Sequence, residues 1–271
     1  MPRRDADPDF VESIARGFDV LKSFDRPAMS LSDVAAATGL ARPTARRILR
    51  TLEALGYVRS GGSGFELTPR VLELGIGYVQ SLGLWEVARP HLESLVARTH
   101  ESSSIAQLDG SDIVYVARVA VPKLIALAVH IGTRFPAVPT SLGKVLLAGL
   151  EPDELEKALA EPSRAGVAPR WDPERVELDR VLREVRAQGW ALTDEQLASG
   201  IRSVAAPIRD GAGRVVAAAN VTVHAAETPV ETLREEYLPM LLETAGRISA
   251  DFALRDALPL SVAPTGPPTA P

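Results

Sequence analysis

The stretch from Leu31 to Tyr57, LSDVAAATGLARPTARRILRTLEALGY, decides how the first quarter of the chain folds. Apolar residues recur at helical spacing on both sides of a turn at Thr38-Gly39-Leu40. Ser30, with Asp33 three residues later, is suited to begin the first helix as a capping box, and Gly39 is suited to end it. Two helices joined by so short a turn are typical of a helix-turn-helix, whose second helix enters the major groove of DNA.

The second helix of this pair carries positive charge that its neighbours do not balance. Five arginines and a single acid, Glu53, lie between Ala41 and Arg59, although the whole chain has a net charge of −5. Arginine can donate two hydrogen bonds to guanine or pair with a phosphate, and threonine can contact a thymine methyl group or a phosphate. The pattern leaves open which arginine contacts a base, and a merely solvated helix face is the alternative. The candidate DNA-binding residues on this helix are Arg42, Pro43, Thr44, Arg46, Arg47 and Arg50.

A β-hairpin is predicted directly after this helix. Tyr57-Val58-Arg59 and Phe65-Glu66-Leu67 flank a tip rich in glycine, Gly61-Gly62-Ser63-Gly64. A hairpin at this position is a wing, so residues 10–68 are predicted to form a winged helix-turn-helix domain. Candidates for contact with the DNA backbone or minor groove are Arg59, Ser60 and Ser63, and a flexible hairpin tip without such contacts is the alternative.

The rest of the chain has a different pattern. Residues 69–83 are predicted to form a linker helix, residues 84–255 a second domain, and residues 256–271 a disordered, proline-rich tail. Helical patterns beside a mostly antiparallel sheet indicate an α+β sensor domain, with hairpin turns at Asp109-Gly110 and Asp210-Gly211. The predicted strands are Ser102–Leu108, Ile113–Val119, Ile125–Ile131, Trp190–Thr193, Ser203–Arg209 and Val215–Val223.

Composition narrows the classes of function. The chain of 271 residues contains no cysteine, which excludes disulfides, thiolate metal sites and a cysteine nucleophile. The four histidines lack metal-binding spacing, and no nucleophile elbow or phosphate-binding loop is present, so we expect no metal, no cofactor and no enzyme. No apolar run approaches the ~20 residues that cross a bilayer, and the first residues do not form a secretory signal, so a cytoplasmic protein is expected.

Phrases from both halves of the chain together resemble the IclR family of transcriptional regulators. They run in order from about Phe10 to Phe252: SIARGFDVLKSF, LSDVAAATGLARPTARRILRTLEALGYV, ELTPRVLELG, DGSDIVYVARV, GTRFPAVPTSLGKVLLA, GIRSVAAPIRDGAGRVVAAANV and EEYLPMLLETAGRI. The resemblance implies an N-terminal winged helix-turn-helix and a C-terminal GAF-like α/β effector-binding domain, an α+β fold overall. LTPRVLELGIGYVQSLGLWEVARPHLESL and DGSDIVYVARV are most similar to the branch that regulates aromatic-acid catabolism through the protocatechuate and β-ketoadipate pathway.

One segment is suited to bind an effector. Thr140 or Ser141 can cap a helix whose first N–H groups point at one spot, and such a helix N-terminus favours an anion. Asn220 and Thr222 stand at alternate positions of an apolar strand, where a ligand, a water or the neighbouring backbone would satisfy them. With the family pattern added, the resemblance implies these effector-binding residues: Phe135, Ser141, Leu142, Gly143, Thr193, Asp194, Ile201, Ser203, Asn220 and Thr222.

Three arginines are further candidates for pairing with a carboxylate. They are Arg118, Arg134 and Arg202, and Arg134 is preferred because it adjoins the predicted pocket segment, with a structural role as the alternative for each. The prediction is a DNA-binding regulator controlled by a small carboxylate, an aromatic acid or a ring-cleavage product. Its partners would be a double-stranded DNA operator and further copies of itself, as a homodimer or a homotetramer. The alternatives are a sensor of a short aliphatic acid such as glyoxylate or pyruvate, an enzyme that uses the sensor domain, and an architectural DNA-binding protein without an effector.

Overall fold

The computed structural model describes residues 9–75, 77, 83–122 and 129–257, and the chain divides between Leu82 and Gly83 into two compact units. A 3-10 turn at Pro69–Leu72 and helical residues 73–75 and 77 end the described part of the first unit, so the rest of the predicted linker helix lies outside the described residues. The other elements of the first unit are α1 (Glu12–Lys22), α2 (Leu31–Thr38), α3 (Arg42–Ala54), β1 (Val58–Gly61) and β2 (Gly64–Leu67).

The helix-turn-helix prediction is confirmed in its local details. The Ser30 side chain accepts a hydrogen bond from the Asp33 N–H at 3.2 Å, and the Ser30 N–H donates to the Asp33 carboxylate at 3.0 Å, which completes the capping box. Gly39 ends α2 in the left-handed conformation, with φ of 67°, which favours glycine because it has no Cβ. Pro43 lies in the first turn of α3, where its missing N–H costs no helical hydrogen bond.

The predicted wing is also present, with one addition. Strands β1 and β2 pair antiparallel, and Met29 exchanges backbone hydrogen bonds of 2.9 and 2.8 Å with Phe65. The segment before α2 therefore adds a third strand-like partner to the hairpin. The core beneath these elements consists of Val20, Met29, Val34, Leu49, Leu52 and Val58.

The second unit is built on a six-stranded antiparallel sheet with the order β5-β4-β3-β8-β7-β6. Its strands are β3 (Ser102–Asp109), β4 (Asp112–Val119), β5 (Arg134–Pro136), β6 (Ala191–Asp194), β7 (Ile201–Arg209) and β8 (Val215–His224). The short β5 was not predicted. The strand predicted at Ile125–Ile131 lies mostly outside the described residues, and residues 129–131 are not a strand.

Helices cover both faces of this sheet. They are α4 (Leu84–Thr99), α5 (Ser141–Ala148), α6 (Pro152–Ala160), α7 (Arg175–Gln188), α8 (Val230–Thr232), a π-helical turn (Leu233–Tyr237) and α9 (Leu238–Ala257). Helices α5 and α7 pack together over one face, while α4 and α9 pair on the other. Helix α9 continues to Ala257, and residues 258–271 of the predicted tail lie outside the described residues. In the described part of the chain, no helix is long and apolar enough to cross a membrane.

The sheet face beneath α5 changes character along its strands. Small residues, Ala106, Ala205 and Ala218, lie in the core under the helix, and they allow α5 to approach the sheet closely. Further along the same face the side chains are hydroxyls. One row of register partners crosses four strands there, consisting of Ser102, Thr222, Ser203 and Thr193. Because α5 begins beside this polar row, a cavity forms at that edge of the helix.

Candidate functional site

The exposed face of α3 is the candidate DNA interface in the first unit. Ala45, Leu49 and Leu52 are buried, so the helix turns its opposite side outward. Thr44 is half-buried, and the residues that α3 exposes to solvent include Arg42, Pro43, Arg46, Arg47 and Arg50. Ion pairing divides this set, because Arg42, Arg46 and Arg47 form no ion pair with another described residue, whereas Arg50 lies 2.8 Å from Glu53.

Glu53 connects α3 to the wing. Its carboxylate accepts hydrogen bonds from the Ser60 N–H at 3.1 Å, from the Ser60 hydroxyl and from the Arg50 guanidinium. These hydrogen bonds hold the pKa of Glu53 below its usual value, so the carboxylate stays charged. Arg59 on β1 pairs in the same way with Glu66 on β2, at 2.7 Å. In the free protein, the wing candidates Arg59 and Ser60 therefore already have intramolecular partners.

The candidate effector site is a cavity in the second unit, beside the N-terminus of α5. Thr140 caps the helix, since its hydroxyl accepts a hydrogen bond from the Gly143 N–H at 3.0 Å. The backbone N–H groups of Ser141 and Leu142 have no acceptor among the described residues, and both residues line the cavity. Further lining residues are Glu101, Ser102, Tyr115, Arg118, Val121, Val129, Pro139, Thr193, Leu197, Ile201, Ser203, Asn220, Thr222, Val223 and His224.

A network of hydrogen bonds joins the hydroxyl row to the helix. Ser203 lies at its centre, with its hydroxyl 2.6 Å from that of Ser141 and 3.1 Å from that of Thr193. Asn220 donates to the Thr222 hydroxyl at 2.9 Å and accepts from a backbone N–H of β3 at 3.0 Å. The structure thus gathers seven residues of the implied effector set around one cavity: Ser141, Leu142, Thr193, Ile201, Ser203, Asn220 and Thr222.

The other three residues of that set do not line the cavity in this structure. Phe135 packs edge-on against Tyr115, with ring centroids 5.9 Å apart, and it is Tyr115 that reaches the cavity. Gly143 is required by packing, because an added Cβ would overlap the backbone of Ala137. The Asp194 carboxylate is engaged by Arg202.

Arg134, the preferred one of the three candidate arginines, does not line the cavity either. Arg134 pairs with Asp109 and lies 3.5 Å from the buried carboxylate of Asp112, so it stabilises the β3–β4 hairpin. Arg202, besides its pair with Asp194, donates to two backbone carbonyls at 3.0 Å. Only Arg118 of the three lines the cavity.

A buried lysine was missed by the sequence reasoning. Lys144 is 2 % exposed, its Nζ lies 4.2 Å from the ring centroid of Trp171, and it donates to the side chain of Gln196. Burial lowers the pKa of Lys144 to about 8. Gln196 precedes Leu197 in the chain, and Leu197 lines the cavity. Lys144 therefore helps to hold the segment that carries Leu197. A lone lysine in the apolar helix SLGKVLLA was the available signal.

Several lining residues were not predicted, among them Tyr115 and His224. The Nδ1 of His224 accepts a hydrogen bond from the Ala226 N–H at 3.3 Å. The signal for Tyr115 in the sequence was its polar hydroxyl within a mostly apolar strand. Among the described residues, no group of three or more acidic or histidine side chains is arranged to hold a metal ion.

Comparisons with known proteins identify the family of both units. Residues 13–62 match the IclR helix-turn-helix domain, and residues 76–250 match the bacterial transcriptional regulator IclR C-terminal domain. The chain is 38% identical over 241 residues to the Pca regulon regulatory protein of Pseudomonas putida, covering 87% of this chain and 82% of that protein.

Two solved structures are similar along nearly the whole chain. One, from Rhodococcus sp. RHA1 and described as a transcriptional regulator, has 48% identity and a TM-score of 0.79, covering 91% of this chain and 100% of its own. The other is an IclR homolog from Microbacterium hydrocarbonoxydans complexed with 4-hydroxybenzoate, with 26% identity, a TM-score of 0.76 and coverage of 89% and 99%. With family matches over both units and these relatives, the chain belongs to the IclR family of bacterial transcriptional regulators.

Proposed function

We propose that this protein is a transcriptional regulator whose binding to an operator is controlled by a small aromatic acid held in the cavity beside α5. The observation that carries this proposal is the meeting of unpaired helix N–H groups with a row of hydroxyls in one cavity. The names of the Pseudomonas relative and of the 4-hydroxybenzoate complex support an effector from aromatic-acid catabolism. Since bacterial operators lie in the cytoplasm, we place its action there.

The N-terminus of α5 is suited to hold a carboxylate. The free N–H groups of Ser141 and Leu142 point out of the helix end, where the helix dipole favours negative charge. The Ser141 and Ser203 hydroxyls add donors at the same place. A carboxylate bound there needs no lysine or arginine, because backbone donors and the dipole stabilise it.

On the DNA side, the unpaired arginines of α3 are proposed to make the first contacts. Arg42, Arg46 and Arg47 are exposed and form no ion pair with other described residues, so phosphates and base edges can replace only water. Pro43 and Thr44 bring the start of α3 close to the duplex. Arg50, Arg59 and Ser60 contribute when their pairs with Glu53 and Glu66 rearrange on DNA.

A second copy of the chain is the proposed occupant of an apolar face on the first unit. Several large apolar side chains are exposed there, namely Phe10, Val11, Ile14, Phe18, Leu55, Leu72 and Leu74. Several of them line a groove of about 690 Å³ between α1 and α3. Exposed apolar groups at this density favour association, and a twofold dimer would present two copies of α3 to two half-sites. Whether such dimers pair further into a homotetramer is decided by measuring the mass in solution.

A thermal-shift panel tests the effector class. The purified protein is melted with protocatechuate, 4-hydroxybenzoate, benzoate, β-ketoadipate, pyruvate and glyoxylate at millimolar concentrations. A ligand at roughly 100 times its Kd adds about 2.7 kcal/mol of stability, which is a measurable rise in Tm. The proposal expects the rise with aromatic acids, and a rise confined to pyruvate or glyoxylate contradicts it.

A short aliphatic acid is the second candidate, and the size of the cavity favours it. The cavity volume is about 60 Å³. An engineered protein cavity of roughly 150 Å³ binds benzene. An aromatic effector therefore requires the lining side chains to move outward on binding, whereas a two- or three-carbon acid requires less movement.

A further inference from the structure

A β-bulge brings two polar side chains of β4 to the same face of the sheet. Ile105 pairs with Ala117 and the next residue, Ala106, pairs with Tyr115, so Val116 is an extra residue in β4. In a regular strand, residues three apart point to opposite faces. The extra residue resets this alternation, and both Tyr115 and Arg118 line the effector cavity.

The first of these side chains is that of Tyr115, which lines the cavity. The residue is 7% exposed, its ring packs edge-on against Phe135, and its hydroxyl forms no hydrogen bond with another described residue. Burial raises the pKa of Tyr115 to about 12, so the group is a hydrogen-bond donor at neutral pH. A ligand that enters the cavity can therefore accept a hydrogen bond from this hydroxyl.

Arg118 lines the same cavity as Tyr115. Its guanidinium is half-buried and donates one hydrogen bond, at 2.9 Å, to the hydroxyl of Ser104. Arg118 forms no ion pair with a carboxylate of the residues that the structure describes. A partly desolvated cation with free donors is suited to a planar anionic group.

We propose that Tyr115 and Arg118 form a second polar end of the effector cavity, which binds an acidic oxygen group of the effector. This inference rests on the proposed function. The first end, at Ser141 and Ser203, adjoins β7, whereas Arg118 belongs to β4, three strands away across the order β4-β3-β8-β7. At ~4.8 Å between strands, the two backbones are about 14 Å apart.

The preferred ligand therefore carries an acidic oxygen group at each end. 4-Hydroxybenzoate meets this requirement, because its carboxylate and its phenolic hydroxyl lie on opposite sides of the ring. An aromatic dicarboxylate also meets it. Benzoate has one such group and can satisfy one end of the cavity. We therefore infer that Tyr115 and Arg118 determine whether the cavity prefers benzoate or its para-substituted relatives.

Calorimetric titration of the full-length protein tests this inference with benzoate, 4-hydroxybenzoate and terephthalate. For the unaltered protein we expect both two-ended ligands to bind at least about tenfold more tightly than benzoate. In Tyr115→Phe, which conserves the ring packing, and in Arg118→Gln, the advantage should fall below about threefold. Tyr57→Phe, in the first unit, is the matched control and should retain the full advantage.

The outcomes separate the inference from the proposed function. If the two-ended ligands bind and both variants keep the tenfold advantage, the second end is overturned while an aromatic effector stands. If none of the three ligands binds the unaltered protein, the aromatic effector itself fails, and the second end fails with it. An unchanged Tm for the unliganded variants shows that the loss of preference is not a loss of folding.

Discussion

The hydroxyl oxygens of Ser141 and Ser203 lie 2.6 Å apart, although 62 residues separate them in the chain. This contact joins the first residue of α5 to β7, and both residues line the cavity. The candidate site therefore exists because a helix end meets the polar part of a sheet face. We therefore expect each hydroxyl to contribute both to the stability of the unit and to ligand binding.

Ser203→Ala should separate these two contributions. We expect a loss of about 1 kcal/mol in the free energy of unfolding, because the hydroxyls of Ser141 and Thr193 lose their shared partner. Effector affinity, measured by calorimetry, should fall about tenfold. Thr244→Ala is the control, since its buried hydroxyl bonds to the Met240 carbonyl at 2.8 Å and does not line the cavity. An equal loss of affinity in both variants would count against the site.

Arg46→Ala and Arg50→Ala should differ in the salt dependence of DNA binding. The measurement is fluorescence anisotropy with a labelled duplex of mixed sequence over a series of salt concentrations. We predict that the unpaired Arg46 neutralises a phosphate, so its loss should lower the slope of log K against log salt by about one unit. Loss of Arg50 should lower it by less, because Glu53 already pairs with that side chain at 2.8 Å. Equal slopes for the two variants would refute the division of the arginines.

Two glycine substitutions should have opposite effects on stability. A Cβ at Gly143 would overlap the Ala137 backbone, so Gly143→Ala forces α5 away from that segment. We expect a cost of about 1–3 kcal/mol in chemical denaturation. A Cβ at Gly246, inside α9, meets nothing within 4 Å, and Gly246→Ala should stabilise the protein by up to about 1 kcal/mol. A neutral Gly143→Ala would show that α5 does not pack as described.

Ile14→Glu should weaken self-association. Ile14 is 58% exposed on the apolar face of α1, so burying a charge there would cost the proposed interface its contacts. Light scattering after gel filtration should show a smaller mass for this variant at equal concentration. Val176→Glu is the control, because Val176 is 81% exposed on α7 in the second unit. If Val176→Glu alone reduces the mass, the interface lies elsewhere.

Lys144 should make stability rise with pH above neutrality. Its pKa is about 8 in the folded chain and 10.5 in an unfolded one. Between these values the unfolded chain binds more protons, so the free energy of unfolding increases with pH, by at most about 3 kcal/mol. Trp171, 4.2 Å from the Nζ, stabilises the charged form and reduces that figure.

Denaturation of Lys144→Met and of the unaltered protein between pH 7 and 9.5 checks this expectation. The range ends below the pH at which the titration of Tyr115 affects stability. Because the pKa of Tyr115 is raised to about 12, that titration lowers the free energy of unfolding as the pH rises. The difference in unfolding free energy between the two proteins should change steadily above pH 8, because titrating groups common to both cancel. A difference that is constant with pH would mean that Lys144 does not titrate in this range.

The fold of the first unit could be predicted from the sequence, because most of the interactions on which the prediction depended join residues close in the chain. The capping box of Ser30 and Asp33, the left-handed Gly39 and the glycine-rich wing all act within a few residues. The same is true of the Thr140 cap on α5, where a side chain bonds to a backbone N–H three residues later. Alternation along β8 placed Asn220 and Thr222 on one face.

Tertiary structure alone decided which polar residues share the cavity. The bulge at Val116 turned Tyr115 and Arg118 to the same face, against the period of two on which sequence reasoning depends. Arg134 pairs with Asp109 and Asp112, and Asp194 pairs with Arg202. Neither Arg134 nor Asp194 lines the cavity. Register shifts and ion pairs of this kind depend on which distant segments become neighbours. The local sequence pattern does not show which segments these are.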